Sequence, residues 1–359
     1  MNDAVLPPLR ERLDQWRERL ERRLLRPLRM QARRLAARAA RQIRMRRSAA
    51  QLVPRLVREA EIARAWCVLV CCARNELVRM PAFLEHYRRL GVAHFLVVDN
   101  RSTDGLAEWL ARQPDCSCWL GDGSYKASNF GMDWCNALLA RHGVGKWCVT
   151  VDPDEFLVFP HCEERGLRGL ARYLEGRGQP SLFTPMVDAY GAGRLSETAL
   201  ASGQSPFEAC PYFDRFNLTQ HYDELRRNWW VQGGVRMRRF SGGQPERAPA
   251  LNKVPLVRWE RGLYYVSSMH HLNRARFNCT VMADPQAVSG VLFHFKYVSL
   301  LIDKAREEMT RGEHYAGSRE YRAYLEAGDP LLYDPEVSLR YRGPGQLAEL
   351  GFMQAGGWY

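Results

Sequence analysis

Three short apolar segments, each followed at once by polar residues, constrain the fold of this chain most strongly. The segments span residues 66–72, 94–98 and 146–151. Helical patterns lie between them at residues 81–90, 106–112 and 132–141. Nearly continuous apolar strands that alternate with helices are typical of a parallel sheet covered on both faces. The sequence therefore predicts an α/β protein.

Polar side chains follow each predicted strand. They are Arg74, Asn75 and Glu76 after the first strand, Asp99 and Asn100 after the second, and Asp152 and Asp154 after the third. In open sheets of this kind, ligands bind at the carboxyl ends of the strands, so this edge is the predicted site. The three turns contain neither G-x-G-x-x-G nor G-x-x-x-x-G-K, which argues against dehydrogenases and P-loop kinases.

The pair Asp152 and Asp154 carries the most chemistry. Residues two apart on a strand face the same side, and Pro153 between them helps to end the strand. Two convergent carboxylates are hard oxygen ligands that suit Mg²⁺ or Mn²⁺, and such an ion bridges the phosphates of a nucleotide. The alternative is that these acidic residues cap the next helix.

Three segments together resemble a known family. They are Cys-Ala-Arg-Asn-Glu at residues 72–76, residues 90–105, and Trp-Cys-Val-Thr-Val-Asp-Pro-Asp-Glu-Phe at residues 147–156. Residues 65–160, and more weakly those up to about 305, resemble the bacterial family 2-like glycosyltransferases, which use nucleotide sugars. The resemblance implies a GT-A fold, with a mixed, mainly parallel sheet flanked by helices.

The same resemblance implies roles for the residues at the strand ends. Asp152 and Asp154 would hold the metal on the donor diphosphate, and the two preceding turns would contact the nucleoside. The residues implicated in those turns are Arg74, Asn75, Glu76, Asp99 and Asn100. Many family members have two acidic residues where this chain has Asp99 and Asn100. Helix capping is the alternative role for Asn75 and Glu76.

The second half contributes further candidates. Arg236 and Arg238 are predicted to share a strand face, where they would grip phosphate or a charged acceptor. Alternation places His294 and Lys296 on one face of a later strand. A late histidine is a third metal ligand in several GT-A enzymes, and by that resemblance His294 is the candidate; imidazole favours Mn²⁺ over Mg²⁺.

The resemblance also implies inversion at the sugar, which needs a carboxylate as general base. Asp214 is the candidate. Asp188, Asp223 and Glu224 compete with it.

The positive charge is concentrated in residues 1–64. This segment holds 18 Arg against 7 Asp and Glu, whereas the remaining 34 basic and 33 acidic residues nearly cancel. Its apolar residues recur at helical spacing, at Leu6, Leu9, Leu13, Trp16 and Leu20. A basic amphipathic arm fits an anionic membrane surface, a partner helix, nucleic acid, or packing on the body of the protein. The neutral body argues against nucleic acid as the partner.

The cysteines and the apolar segments bear on the compartment. The 10 cysteines form no C-x-x-C pair and several lie in apolar runs, which favours a reducing environment. Neither a membrane-spanning segment nor a secretory signal is predicted, so we expect a cytoplasmic protein that touches the inner membrane face through its arm.

These observations predict three regions: a basic helical arm at 1–64, a GT-A domain at 65–305, and a C-terminal helix and tail at 306–359. Within the domain, residues 65–160 form the nucleotide-sugar half and 161–305 the acceptor half. Trp358 is expected to anchor the tail on the body.

The predicted function is metal-dependent transfer of a sugar from a nucleoside-diphosphate donor, by family habit a UDP-sugar. The acceptor would be a glycan or a lipid-linked precursor in cell-surface polysaccharide synthesis. Nucleotidyl transfer at the same acidic site, and nucleic-acid binding through the arm, are the alternatives.

Overall fold

We describe the protein from a computed structural model. It describes residues 21, 26–223, 228–241, 248–278, 284, 286–311 and 319–358. The chain divides into two compact units, Met1–Arg47 and Ser48–Tyr359.

The first unit contains most of helix α1, Arg26–Ala49. The helix has nine arginines and no acidic residue, and its Leu28, Leu35 and Ile43 are exposed. The predicted amphipathic repeat from Leu6 to Leu20 lies outside the described residues.

The second unit alternates strands and helices. Its helices are α2 Glu59–Arg64, α3 Met80–Leu90, α4 Leu106–Ala111, α5 Met132–Leu138, α6 Cys162–Gly176, α7 Pro206–Ala209, α8 Gly234–Phe240, α9 Leu300–Arg311, α10 Arg319–Glu326 and α11 Pro344–Glu349. Its strands are β1 Leu52–Leu56, β2 Cys67–Ala73, β3 His94–Asp99, β4 Cys116–Gly121, β5 Trp147–Thr150, β6 Glu155–Val158, β7 Ser181–Tyr190, β8 Tyr212–Asp214, β9 Thr219–Asp223, β10 Asn228–Gln232, β11 Asn252–Arg258, β12 Tyr265–Ser267, β13 His271–Leu272, β14 Val291–Tyr297 and β15 Ser338–Arg340.

In the described residues, one 11-stranded sheet organises this unit, in the order β1-β4-β3-β2-β5-β11-β7-β14-β6, with β8 on β7 and β15 on β8. Strands β4, β3, β2 and β5 are parallel neighbours. The antiparallel pairs are concentrated in the other half, where β11 joins β5 to β7. The predicted α/β class, with a mixed, mainly parallel sheet flanked by helices, is confirmed.

Strand β2 shows why the predicted strands are nearly all apolar. Leu69 and Cys71 pack into one core with α3, whereas Val68 and Val70 pack into a second core with α5. Both faces of the strand are therefore buried, and neither tolerates polar side chains.

Helix α3 ends where the sequence predicts. Gly91, which follows it, adopts φ 97°, a left-handed conformation that glycine takes at little cost.

The boundaries of this unit differ from the predicted ones. Strand β1 pairs antiparallel with β4 and carries Pro54, which an edge strand accommodates. Residues 48–64 therefore belong to the sheet-containing unit, which begins at Ser48 rather than at residue 65.

The C-terminal segment is also part of this unit. Strand β15 pairs with β8, and Trp358 is 5% exposed, with its ring stacked 6.1 Å from Phe159. The predicted anchoring of Trp358 on the body is confirmed.

No described helix combines the length and the apolar character needed to cross a membrane. Nine cysteines lie in the described residues as free thiols, eight of them buried.

Candidate functional site

The carboxyl ends of β2, β3 and β5 meet at one edge of the sheet because the three strands are parallel neighbours. The Arg74 guanidinium, after β2, donates to the backbone oxygens of Asn100 and Arg101, after β3, at 2.9 and 2.8 Å. The first two predicted turns are therefore in direct contact.

Asn75 joins the same two turns rather than capping a helix. Its Oδ1 accepts from the backbone N–H of Thr103 at 2.8 Å, and its own N–H donates to Ser102 Oγ at 3.0 Å. Asp99 accepts from the N–H of Ser102, and the Asn100 amide donates to the oxygen of Gly121 at 3.0 Å. These bonds hold the strand-end turns rigidly, which preorganises the edge for a ligand.

The acidic turn links β5 to β6. The backbone N–H of Asp152 donates to Glu155 Oε2 at 3.0 Å, and the N–H of Glu155 donates to the oxygen of Asp152 at 3.0 Å. Lys253 Nζ, from β11, lies 2.9 Å from Glu155 Oε1, and both side chains are almost fully buried. Glu155 thus fixes the turn from below, while Asp152 and Asp154 stay partly exposed.

Strand β14 brings His294 to this turn. The N–H of Phe295 donates to the oxygen of Asp154 at 2.8 Å, and His294 Nε2 lies 3.5 Å from Asp154 Oδ2. The other ring nitrogen, Nδ1, lies 2.6 Å from Asp188 Oδ1 on β7. Nδ1 thus contacts both the Asp188 carboxylate, which only accepts, and Nη2 of Arg236, which only donates and lies 2.7 Å away.

Arg236 also binds Asp188, in a fork of two hydrogen bonds. Its Nε and Nη2 donate to the two carboxylate oxygens at 2.7 and 2.8 Å, and both side chains are buried. Such a fork fixes the plane of the carboxylate and, through it, the imidazole of His294.

The pKa values of Asp152 and Asp154 are shifted in opposite directions. Burial and the neighbouring Glu155 raise the pKa of Asp152 to about 7. Burial also opposes ionisation of Asp154, but the adjacent His294 outweighs it and holds the pKa of Asp154 well below its usual range. Acidic groups whose pKa values are driven apart in one site are typical of functional sites.

The side chains around the acidic turn can be compared with those that metal ions need. Among the described residues, no three His, Cys, Asp or Glu side chains are gathered as a complete metal cage. Mg²⁺ is commonly held by only one or two carboxylates, with substrate phosphates and water completing its coordination. Asp152 and Asp154 supply two partly exposed carboxylates, which is the number that such an ion commonly uses.

A cleft of about 500 Å³ opens beside the first strand-end turn. Asn75, Arg79 and Lys304 are among its lining residues. Its volume lies in the range of small-molecule sites.

Helix α9 closes one wall of this cleft. Lys304 pairs with Glu76, and Glu307 lies 3.1 Å from Arg74. Glu76 also binds Arg79 at 2.8 Å, so Glu76, predicted to contact a nucleotide, is a buried bridge between two cations.

Two predicted residues make contacts elsewhere. Lys296 Nζ lies 4.7 and 4.9 Å from the ring centroids of Tyr321 and Tyr324, in a cation–π arrangement. Asp214 is buried and accepts from both Nε and Nη2 of Arg238, from Tyr190 and from Asn217. These bonds are typical of a structural carboxylate and do not support its predicted role as the base. Glu224, one of its competitors, lies outside the described residues.

The predicted strand containing Arg236 and Arg238 is wrong. Residues 234–240 form helix α8, on which positions two apart point in different directions. Arg236 turns towards Asp188 and Arg238 towards Asp214, so the two do not grip one ligand.

Sequence reasoning gave no supporting role to Arg79, Asp188, Lys253 or Lys304. The sequence indicates Asp188 only as a competing base. Arg79, Asp188 and Lys253 are buried charged groups, and this signal appears only once the sheet is assembled.

No protein-family model matches the chain, and no curated protein is significantly similar to it. Among solved structures, a 4-diphosphocytidyl-2C-methyl-D-erythritol synthase is 17% identical over 38% of this chain, with a TM-score of 0.23; the chain spans 65% of its length.

Two further structures overlap more of the chain. A protein described as a glucose-1-phosphate thymidylyltransferase from Bacillus anthracis is 8% identical over 73% of this chain and 83% of its own, with a TM-score of 0.27. A mannose-1-phosphate geranyltransferase from Thermus thermophilus is 11% identical over 74% and 68%, with a TM-score of 0.25. These likenesses assign neither a family nor an activity.

Proposed function

We propose that the protein is a metal-dependent glycosyltransferase that uses a nucleoside-diphosphate sugar. One observation carries the proposal: the Asp152-Pro153-Asp154 turn follows β5 at the carboxyl ends of the parallel strands β2, β3 and β5, with His294 Nε2 3.5 Å from Asp154. Asp152 and Asp154 would hold Mn²⁺ or Mg²⁺, which would supply positive charge to stabilise a departing diphosphate.

The chain's own residues have distinct tasks in this proposal. Asp152 and Asp154 hold the ion, His294 supplies a nitrogen ligand, and the turns containing Arg74 and Asn75 receive the nucleoside. The rigid bonding between those turns keeps the edge in place before the donor arrives. A glycan or a lipid-linked sugar is the proposed acceptor.

Calorimetry tests the donor site. A panel of nucleoside diphosphates and their sugars is titrated into the protein with and without Mn²⁺, beside an Asp152→Asn, Asp154→Asn double variant. We expect one nucleotide to bind only with metal, and the double variant to bind at least about tenfold more weakly. Chelation of the metal should have the same effect.

A matched control removes two charges elsewhere. Glu163 and Glu164 are exposed neighbours at the start of α6, and their double Gln variant should bind as the wild type does. A folded protein that binds no nucleotide would refute the proposal.

The products separate the two transferase chemistries. A nucleotide sugar that releases a nucleoside diphosphate supports sugar transfer. Pyrophosphate released from a nucleoside triphosphate and a sugar phosphate would instead establish nucleotidyl transfer at the same acidic site.

A further inference from the structure

Helix α1 carries an apolar stripe that is free of arginine over its first five turns. Successive residues of an α-helix are rotated by about 100° around its axis. On this basis, a face roughly 100° wide contains every leucine and isoleucine of α1. The stripe consists of Leu28, Ala32, Leu35, Ala36, Ala39 and Ile43. Leu28, Leu35 and Ile43 are 58%, 56% and 52% exposed.

The rest of the helix surface is strongly basic. Arg29, Arg33, Arg38 and Arg47 are exposed, and no acidic residue occurs between Arg26 and Ala49. With arginines along both of its borders, the helix presents an apolar face between two cationic margins. A helix of this kind is complementary to a surface that is apolar at depth and anionic at its boundary.

The spacing of the stripe argues against pairing with a second copy. A heptad seam through Leu28, Ala32, Leu35 and Ala39 would continue at Gln42 and Arg46, whereas the helical repeat of 3.6 continues at Ile43. Pairing of two copies would also place the nine arginines of one helix near the nine arginines of the other, and these like charges repel.

Binding to nucleic acid would explain the arginines of α1 but not its apolar stripe. Phosphate contacts need cations, and apolar side chains on a backbone-binding helix contribute nothing to them. An anionic lipid surface uses both halves of the helix, because the long arginine stems reach the headgroups while the apolar face enters the acyl boundary.

We propose that α1 docks the protein on anionic phospholipid membranes, lying in the interface with its apolar stripe inserted. The proposal is independent of the catalytic one, since none of its residues belongs to the acidic site. The strength of docking rises with the fraction of anionic lipid and falls with salt.

Co-sedimentation of the full chain with vesicles tests this. One set of vesicles is phosphatidylcholine alone, and the other contains phosphatidylglycerol as well. We expect binding only to the anionic set. An Arg33→Gln, Arg38→Gln variant should partition about fivefold less per arginine removed, and a Leu35→Gln, Ile43→Gln variant at least about tenfold less.

Matched controls lie outside the helix. Arg112→Gln, Arg322→Gln removes two exposed arginines of the second unit, and Val53→Gln, Val144→Gln removes two exposed apolar side chains. Both controls should bind vesicles as the wild type does, and circular dichroism of each variant checks that it is folded.

Three results would overturn the proposal. The first is equal binding to neutral and anionic vesicles, and the second is unchanged vesicle binding by the Leu35→Gln, Ile43→Gln variant. The third is a wild-type protein that does not bind vesicles but self-associates, with self-association lost in the same variant. Salt-sensitive binding to duplex RNA or DNA in place of vesicles, undiminished in the stripe variant, would identify the helix as a nucleic-acid arm.

Discussion

His294 Nδ1 lies 2.6 Å from Asp188 Oδ1, and this contact directs Nε2 of the same ring towards Asp154. The two residues are adjacent in register on the parallel strands β14 and β7, so the sheet itself sets their distance. A histidine that is fixed by a carboxylate through one nitrogen presents the other nitrogen in a defined orientation. Asp188 is thus a positioning residue for the acidic turn.

Asp188→Asn should therefore weaken metal-dependent nucleotide binding by about 10- to 100-fold, because an amide offers one acceptor oxygen where Arg236 and His294 together use two. Calorimetry with Mn²⁺ and the preferred nucleotide measures the change. Unfolding in denaturant should show a loss of about 3 kcal/mol as well, because Arg236 loses the charge that it pairs with in the interior.

Asp214→Asn is the matched control for that variant. Asp214 is also buried and also held by two nitrogens of an arginine, but it lies on β8 and makes its contacts with Arg238 and Tyr190. We expect lower stability with unchanged nucleotide affinity. If Asp214→Asn binds normally but abolishes turnover, Asp214 is the general base after all; if both variants lose affinity equally, the positioning role of Asp188 is wrong.

A second prediction concerns the ion pair beneath the acidic turn. Lys253→Met leaves Glu155 buried without its cation, and breaking a buried pair costs about 3–5 kcal/mol. Denaturant unfolding measures this loss. Because Glu155 also accepts from the N–H of Asp152, the variant should loosen the turn and weaken nucleotide binding.

The double variant Glu155→Gln, Lys253→Met separates charge from packing. It removes both charges and should recover a large part of the lost stability, since neither partner is then left charged in the interior. The free energy of unfolding of the single Lys253→Met variant should differ clearly from that of the wild type. A difference of less than about 1 kcal/mol would contradict the assignment of this pair as structural.

The sequence predicts part of this architecture well, for a physical reason. Strands β2, β3 and β5 are buried on both faces, so their apolar runs are continuous and easily recognised. Strand β7 is equally buried but contains Thr184, Pro185 and Asp188, which mask the pattern. Local sequence does not show that Asp188 has a partner 106 residues away.

Helix α8 illustrates the converse. Alternating Val235, Arg236, Met237 and Arg238 is typical of a strand, yet the segment is helical, and its two arginines pair with different buried carboxylates. Arg and Met have high helix propensity, so alternation alone does not decide the element here. The residues at the strand ends were predictable, because their position depends only on the parallel order of the strands. The residues that support them, Asp188 on β7, Arg236 on α8 and Lys253 on β11, were not predictable.

The last prediction concerns His86 on α3, which packs against Phe156 and Phe207 and donates from Nε2 to the oxygen of Leu157 at 3.0 Å. Burial, with a smaller contribution from Arg89, lowers its pKa to about 4, against about 6.5 in the unfolded chain. Between these values the unfolded state binds more protons, so the stability due to neutral His86 is complete above pH 6.5 and is lost as the pH falls.

That loss amounts to about 3 kcal/mol by pH 4, measured as the free energy of unfolding at a series of pH values. His86→Gln keeps a donor for Leu157 but cannot titrate, so its stability should fall less steeply with acid over this window. His221→Gln, which changes an exposed histidine on β9, should follow the wild-type curve. Parallel curves for the His86 variant and the wild type would mean that His86 is protonated in the folded protein, and the prediction would fail.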